Sequence, residues 1–277
     1  MRATDAEHRR IILGLYRNAP NHELLLAALR SGVTALDTAY NYSGFTGHRR
    51  LAEAAGPLLE RFDVTTKIGF FPDGHDLTAS RLREAALRTV NELGRVPDTL
   101  LLHNPENSPA WFTSACRTMI RLRDQGICRA WGISTWDARP LLDYPSPEPP
   151  DVLMVRCGLS VPTAVLTAAE ELAASLRPGE LRGMAPFGGS WADPVWSAVD
   201  PTLFMSPNRK ASRIEAAFAV GFDLPRVAAV AVGTSHAEHL RHLVAATYLD
   251  VNPRAITQYR SLIHQRASVE ETEGATA

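Results

Sequence analysis

Short apolar runs alternate along this chain with longer stretches whose apolar positions recur every three to four residues. The short runs fall at 11–16, 33–38, 62–68, 98–103, 127–134, 152–157, 181–186 and 227–232. They are apolar at nearly every position, as strands buried on both faces must be. The longer stretches, at 21–31, 47–61, 78–93, 108–125, 163–175, 211–222 and 236–248, carry the helical period. Asn21 suits a helix N-cap, and Gly32, Gly94 and Gly126 stand where helices end. A short, broken helical piece and a Pro-rich loop (144–150) follow the fifth strand. Eight strand–helix units at about 30-residue spacing predict an α/β fold, a closed (β/α)8 TIM barrel, over a doubly wound sheet. The Gly-x-Gly-x-x-Gly fingerprint of an open dinucleotide-binding sheet is absent. Residues 253–267 predict one extra C-terminal helix. No linker or repeat interrupts the pattern, so 1–277 reads as a single domain, with 268–277 as a flexible tail.

Composition narrows the function. The chain has 277 residues, with 29 basic and 30 acidic side chains. Without a basic excess it is not expected to bind nucleic acid. No apolar run approaches the ~20 residues of a membrane helix, so no membrane partner is expected. The first ten residues lack the apolar stretch of a signal peptide, and Cys116, Cys128 and Cys157 show no paired spacing. Both features predict a cytoplasmic protein. Of the basic residues only Lys67 and Lys210 are lysine. Lysine is the cation that serves as a compact point charge beside a reacting group.

In a barrel of this type chemistry sits at the C-terminal strand ends. The second strand ends in Asp37, with Tyr42 five residues on; the third ends in Lys67, the fourth in His103 and the fifth in Ser134. A Tyr phenol is a poor acid near neutrality, and a neighbouring ammonium stabilises its phenolate. Lys67 can supply that ammonium if Asp37 keeps it charged. His103 can donate a hydrogen bond to a substrate oxygen. Together these groups form a proton donor for a carbonyl.

The segments GVTALDTAYNYSG, VTTKIG, DTLLLHNP, GICRAWGISTW and VAVGTSHAEHL, in this order, resemble an aldo-keto reductase. The resemblance implies a (β/α)8 barrel and hydride transfer from NADPH to an aldehyde or ketone. It implies a catalytic tetrad of Asp37, Tyr42, Lys67 and His103, with Tyr42 as general acid. Cofactor contacts would fall at Gly14, Ser134, Thr135, Met184, Phe187, Gly188, Gly189, Gly233, Thr234 and Ser235. Several of these depart from the family pattern. Thr135 replaces an Asn and Met154 a Gln at the nicotinamide amide, Met184 replaces a stacking ring, and His242-Leu243 replace a Glu-Asn pair. Arg182, Arg209 and Lys210 are candidates for a 2′-phosphate. The eroded amide contacts leave an alternative open: a cofactor-independent lyase, dehydratase, isomerase or cyclase using the same four residues for proton transfer. Tyr40, Trp136 and Trp191, with Phe45 and Phe71, predict an aromatic-lined pocket for a bulky small-molecule carbonyl substrate. His236, His239 and His242 fan around the last barrel helix and predict a solvated face, so no metal is expected. Oligomeric state is not legible.

Overall fold

The computed structural model describes residues 9–17, 20–189, 193–207 and 210–274, with side chains to Gln265 in the last helix. The barrel strands are β1 (Arg10–Gly14), β2 (Ala35–Asp37), β3 (Asp63–Ile68), β6 (Thr99–His103), β7 (Ala130–Thr135), β8 (Val152–Arg156), β9 (Glu180–Met184) and β10 (Ala229–Val232). All pair in parallel, and β10 closes the ring onto β1. Between β3 and β6 a small antiparallel hairpin, β4 (Phe70–Phe71) and β5 (Gly74–His75), stands on the mouth.

The helices are α1 (His22–Arg30), α2 (Tyr42–Phe45), α3 (Gly47–Ala55), α4 (Ala79–Leu93), α5 (Phe112–Asp124), α6 (Thr163–Leu176), α7 (Val195–Ala198), α8 (Arg213–Gly221), α9 (Ala237–Ala246) and α10 (Pro253–Gly274). Asn21 caps α1 by accepting from Leu24 N at 2.8 Å. The stretch read as one helix at 47–61 breaks at Gly56, whose φ is +51°, into α3 and a 3-10 turn. The backbone of α10 stays helical through Gly274, past the point where a tail was expected; between its first residue, Pro253, and its last, Gly274, there is no Gly or Pro to stop it earlier. No helix among the described residues is long and apolar enough to cross a membrane.

Side chains alternate across each strand, and the alternation builds the barrel in layers. Outward residues pack under the helices: Ile68, Leu100, Leu102, Trp131, Ile133, Leu153 and Val155 form one cluster with α4, α5 and α6. Leu13, Leu36, Val64 and Val230 form a second with α1, α3 and α8. Inward, Ile12, Leu101, Met154 and Ala231 fill the middle layer. Below them Arg182 spans the barrel, donating to Thr65 Oγ1 at 2.9 Å and to Glu180 Oε2 at 2.8 and 2.9 Å. The barrel therefore has a packed floor. Gly132 keeps β7 and β8 close: a Cβ there would lie 2.1 Å from the Val152 carbonyl oxygen. The inward residues left at the top are Gly14, Asp37, Lys67, His103, Ser134, Arg156 and Met184. The three cysteines are buried and free. Burial pushes the Cys116 and Cys128 thiols up to about 12, so they are inert packing groups.

Candidate active site

Asp37 and Lys67 end adjacent strands on the inward face. Lys67 is 1% exposed. Its Nζ donates to Asp37 Oδ1 at 2.6 Å and Oδ2 at 2.5 Å, and to the Thr38 carbonyl at 3.1 Å. Beyond β2 the chain reverses sharply: Ser43, Gly44 and Phe45 all take positive φ. This reversal leaves the Tyr42 hydroxyl 3.4 Å from Lys67 Nζ. His103 ends β6, with its ring edge-on to Tyr42 at a centroid distance of 6.0 Å. The fold thus brings together the four residues read from the strand ends.

Their electrostatics follow from burial. Desolvation is the largest influence on the Lys67 ammonium and works against it, but Asp37 and Tyr42 together outweigh it and leave the Lys67 pKa raised. Lys67 does pull the Tyr42 pKa down, as expected, but it does not set the net shift. Burial is the largest influence on Tyr42 and, aided by Asp37, exceeds the pull of Lys67, so its pKa is raised. The phenol is held protonated, with the ammonium in place to stabilise the phenolate once the proton leaves. Burial, then Lys67 and His75, push the His103 pKa well below its usual value, so its ring is neutral. Its Nδ1 is buried with no partner among the described residues. A proton on Nε2, with the lone pair left at the unpartnered Nδ1, would let the ring donate to an oxygen.

Around these four, the structure adds residues that the sequence pattern did not single out. Tyr16, 61% exposed, lays its ring 5.1 Å from that of Tyr42 and forms the outer wall. Phe70 stands between His75 and His103, at 4.8 and 4.9 Å. His75 Nε2 donates to the His103 carbonyl at 2.9 Å, and Ser108 Oγ completes its other side at 3.0 Å. Glu106, three residues after His103, accepts from Trp136 N at 2.6 Å and Asp137 N at 3.2 Å, fixing the loop after β7. Burial raises the Glu106 pKa.

Other expected contacts divide. Trp136 is 42% exposed at the rim. Tyr40 does not wall the pocket: it is buried in the helix layer against Phe45 and Phe71, and Arg88 donates to its hydroxyl at 3.3 Å. Trp191 and Arg209 lie outside the described residues. Gly14 and Ser134 face inward, and among the described residues Ser134 Oγ donates only to the Met184 thioether, at 3.8 Å. Thr135 does not join Ser134: as the next residue of the strand it turns outward and is buried beside Glu106. Phe187 turns into the helix layer against Phe218 and Trp196. Trp196, Phe204 and Met205 anchor their loop in the same layer. Gly188 and Gly189 take positive φ, and a Cβ on Gly188 would lie 2.6 Å from Ser160 Oγ. Gly233 and Ser235 are exposed beyond β10, and Thr234 Oγ1 closes a turn onto His236 N at 3.1 Å. Arg182 is the barrel floor, not a phosphate ligand at the mouth; Lys210 is exposed. No group of three metal-ligating side chains occurs among the described residues.

The sequence profile described as "Aldo/keto reductase family" matches residues 15–155, a span that includes all four strand-end residues. The chain belongs to this family. An aldo-keto reductase of Mycobacterium tuberculosis is 30% identical over 137 residues, 48% of this chain and 47% of that protein. The chain thus spans about half the length of this aldo-keto reductase relative. A solved aldo/keto reductase of Klebsiella pneumoniae, in complex with NADP and acetate, superposes with a TM-score of 0.70 at 18% identity, over 91% of this chain and 90% of that one. A holo aldo-keto reductase of Bacillus halodurans gives 0.71 at 16% identity, over 92% and 91%. At these identities the structural likeness shows the aldo/keto reductase barrel as a fold.

Proposed function

We propose that this protein is an NADPH-dependent carbonyl reductase, or works in reverse as an alcohol dehydrogenase, with Tyr42 as the proton donor. The observation that carries this reading is the buried Lys67 ammonium held between the Asp37 carboxylate and the Tyr42 hydroxyl. Tyr42 gives its proton to a carbonyl oxygen at the mouth. Lys67 stabilises the phenolate left behind, and Asp37 holds Lys67 charged in a site where desolvation would otherwise discharge it. Neutral His103 donates from Nε2 and orients the carbonyl. Tyr16 and Phe70 form apolar walls that exclude water from the proton transfer.

The remaining half of the mouth fits a nicotinamide cofactor. Ser134 Oγ is buried, inward-facing and bonded only to a weak thioether acceptor. Met184 is an adaptable apolar surface able to pack on a flat ring. Gly188 and Gly189, with the exposed turn at 233–235, leave room for phosphate oxygens. Ser134 and these turns would hold the cofactor, which when bound supplies the two-electron reducing equivalent. The proton-transfer alternative has no observation in its favour beyond the lost amide partners.

The reading is tested by titrating the purified protein with NADPH and NADH under calorimetry, then following absorbance at 340 nm with a panel of aromatic and aliphatic aldehydes. Micromolar NADPH binding with aldehyde-dependent oxidation supports it. No binding up to millimolar cofactor removes it.

A further inference from the structure

Arg156 ends β8 two residues beyond Met154, whose side chain packs inside the barrel. The strand period therefore puts Arg156 on the inward face at the mouth, in register with Met184. Its guanidinium lies over the Trp136 ring, 4.6 Å from the centroid. Nη2 donates to the Ser160 carbonyl at 3.2 Å. Nε is buried and has no hydrogen-bond partner among the described residues. Most arginines near it are spoken for. Arg139 takes both oxygens of Asp137, at 2.9 and 2.5 Å. Arg182 is bound to Glu180 in the floor. Arg156 forms no ion pair among the described residues, although Asp137 and Asp193 lie close enough to be felt. Asp193 Oδ1 is occupied by Val195 N at 3.0 Å.

A half-buried cation without a carboxylate partner is unfavourable, because its lost hydration is not replaced. Stacking on an indole fixes the plane of the fork, and a fixed fork matches a carboxylate in two parallel hydrogen bonds. The loop that carries Trp136 is itself pinned by Glu106, so the pair is preorganised. We propose that Arg156, stacked on Trp136, anchors the substrate and selects carbonyl compounds that carry a carboxylate. The inference rests on the reductase reading above. The same fork could instead meet an anionic oxygen of the cofactor, and the test separates the two sources.

The test compares 4-carboxybenzaldehyde with its neutral counterpart, methyl 4-formylbenzoate, in the wild type, Arg156→Met and Arg156→Lys. Wild type should favour the acid in kcat/KM by about 10- to 100-fold, the range of a charge-assisted hydrogen bond. Arg156→Met should abolish that preference, and Arg156→Lys should retain part of it, which guards against a fold defect in the first variant. Calorimetric binding of terephthalate should weaken by the same factor, without any need for turnover. A preference unchanged by both variants, with unchanged terephthalate binding, overturns the proposal. So does a variant that loses NADPH affinity while keeping the acid preference, because the anion is then the cofactor's. If no aldehyde is turned over yet terephthalate binding still depends on Arg156, the carboxylate site stands and the reductase reading falls.

Discussion

The two halves of the barrel mouth are built differently. The half formed by β2, β3 and β6 is charged, buried and tightly bonded, with Lys67 held by three oxygens at 2.5–3.1 Å. The half formed by β7, β8 and β9 is soft: Ser134 meets a thioether at 3.8 Å, and Arg156 lacks an ionic partner among the described residues. Lys67 is fully bonded in the free protein, whereas His103 Nδ1 in the same half has no partner among the described residues. The second half holds polar groups with weak or missing partners. Under the proposed function the proton donor is preformed, whereas cofactor and substrate would be met by these adaptable groups.

The largest expected effect strikes the rigid half. Lys67→Met leaves the Asp37 carboxylate buried without its partner and should lower stability by about 3–5 kcal/mol in urea denaturation. The Asp37→Asn/Lys67→Met double variant should regain much of that stability but no turnover. Equal stability of the single variant and wild type would show that the pair is not the tight element described.

A smaller effect lies just behind Lys67. His48 Nε2 shares a 2.7 Å hydrogen bond with Thr66 Oγ1 on the outward face of β3. Burial, then Arg88 and Lys67, lower its pKa to about 4, against 6.5 for the free side chain. Between these values the unfolded chain binds a proton that the folded chain refuses. Stability is therefore full above pH 6.5 and declines as pH falls toward 4, by about 3 kcal/mol from this residue. His48→Gln should flatten that part of the stability–pH curve. An unchanged slope would assign acid sensitivity elsewhere.

The smallest effect probes the soft half. Ser134→Ala removes one neutral hydrogen-bonding group and should weaken NADPH binding about fivefold, or roughly 1 kcal/mol, by calorimetry. A loss of about a hundredfold would mean that this half is as rigidly organised as the other.

The same contrast governs what could be read in the sequence. The barrel was legible because eight doubly buried strands alternate with seven amphipathic helices and one broken helical piece. Asp37, Lys67 and His103 were legible because each lies at the end of an apolar run, and Tyr42 because it follows Asp37 by five residues. Direction at the strand ends was read less well. Grouping Ser134 with Thr135 overlooks that adjacent strand residues point oppositely, and Arg182, a 2′-phosphate candidate by sequence, lies one inward step below Met184. The same two-residue count would have found Arg156 two residues above Met154. The β4–β5 hairpin escaped because two-residue strands show no periodicity, although Pro72-Asp73 between them, followed by Gly74, is a turn signal. Tyr40 looked like a pocket wall because it follows β2, but it packs outward on Phe71.

The central claim is that the Tyr42 hydroxyl, beside Lys67, delivers the proton to a carbonyl. Tyr42→Phe removes one oxygen atom and leaves the Lys67–Asp37 pair in place. The decisive measurement is NADPH oxidation with an aldehyde that the wild type reduces, made alongside NADPH titration of the variant. Turnover should fall by about 10²–10⁴-fold with cofactor affinity retained. Turnover within a few-fold of wild type would contradict the claim.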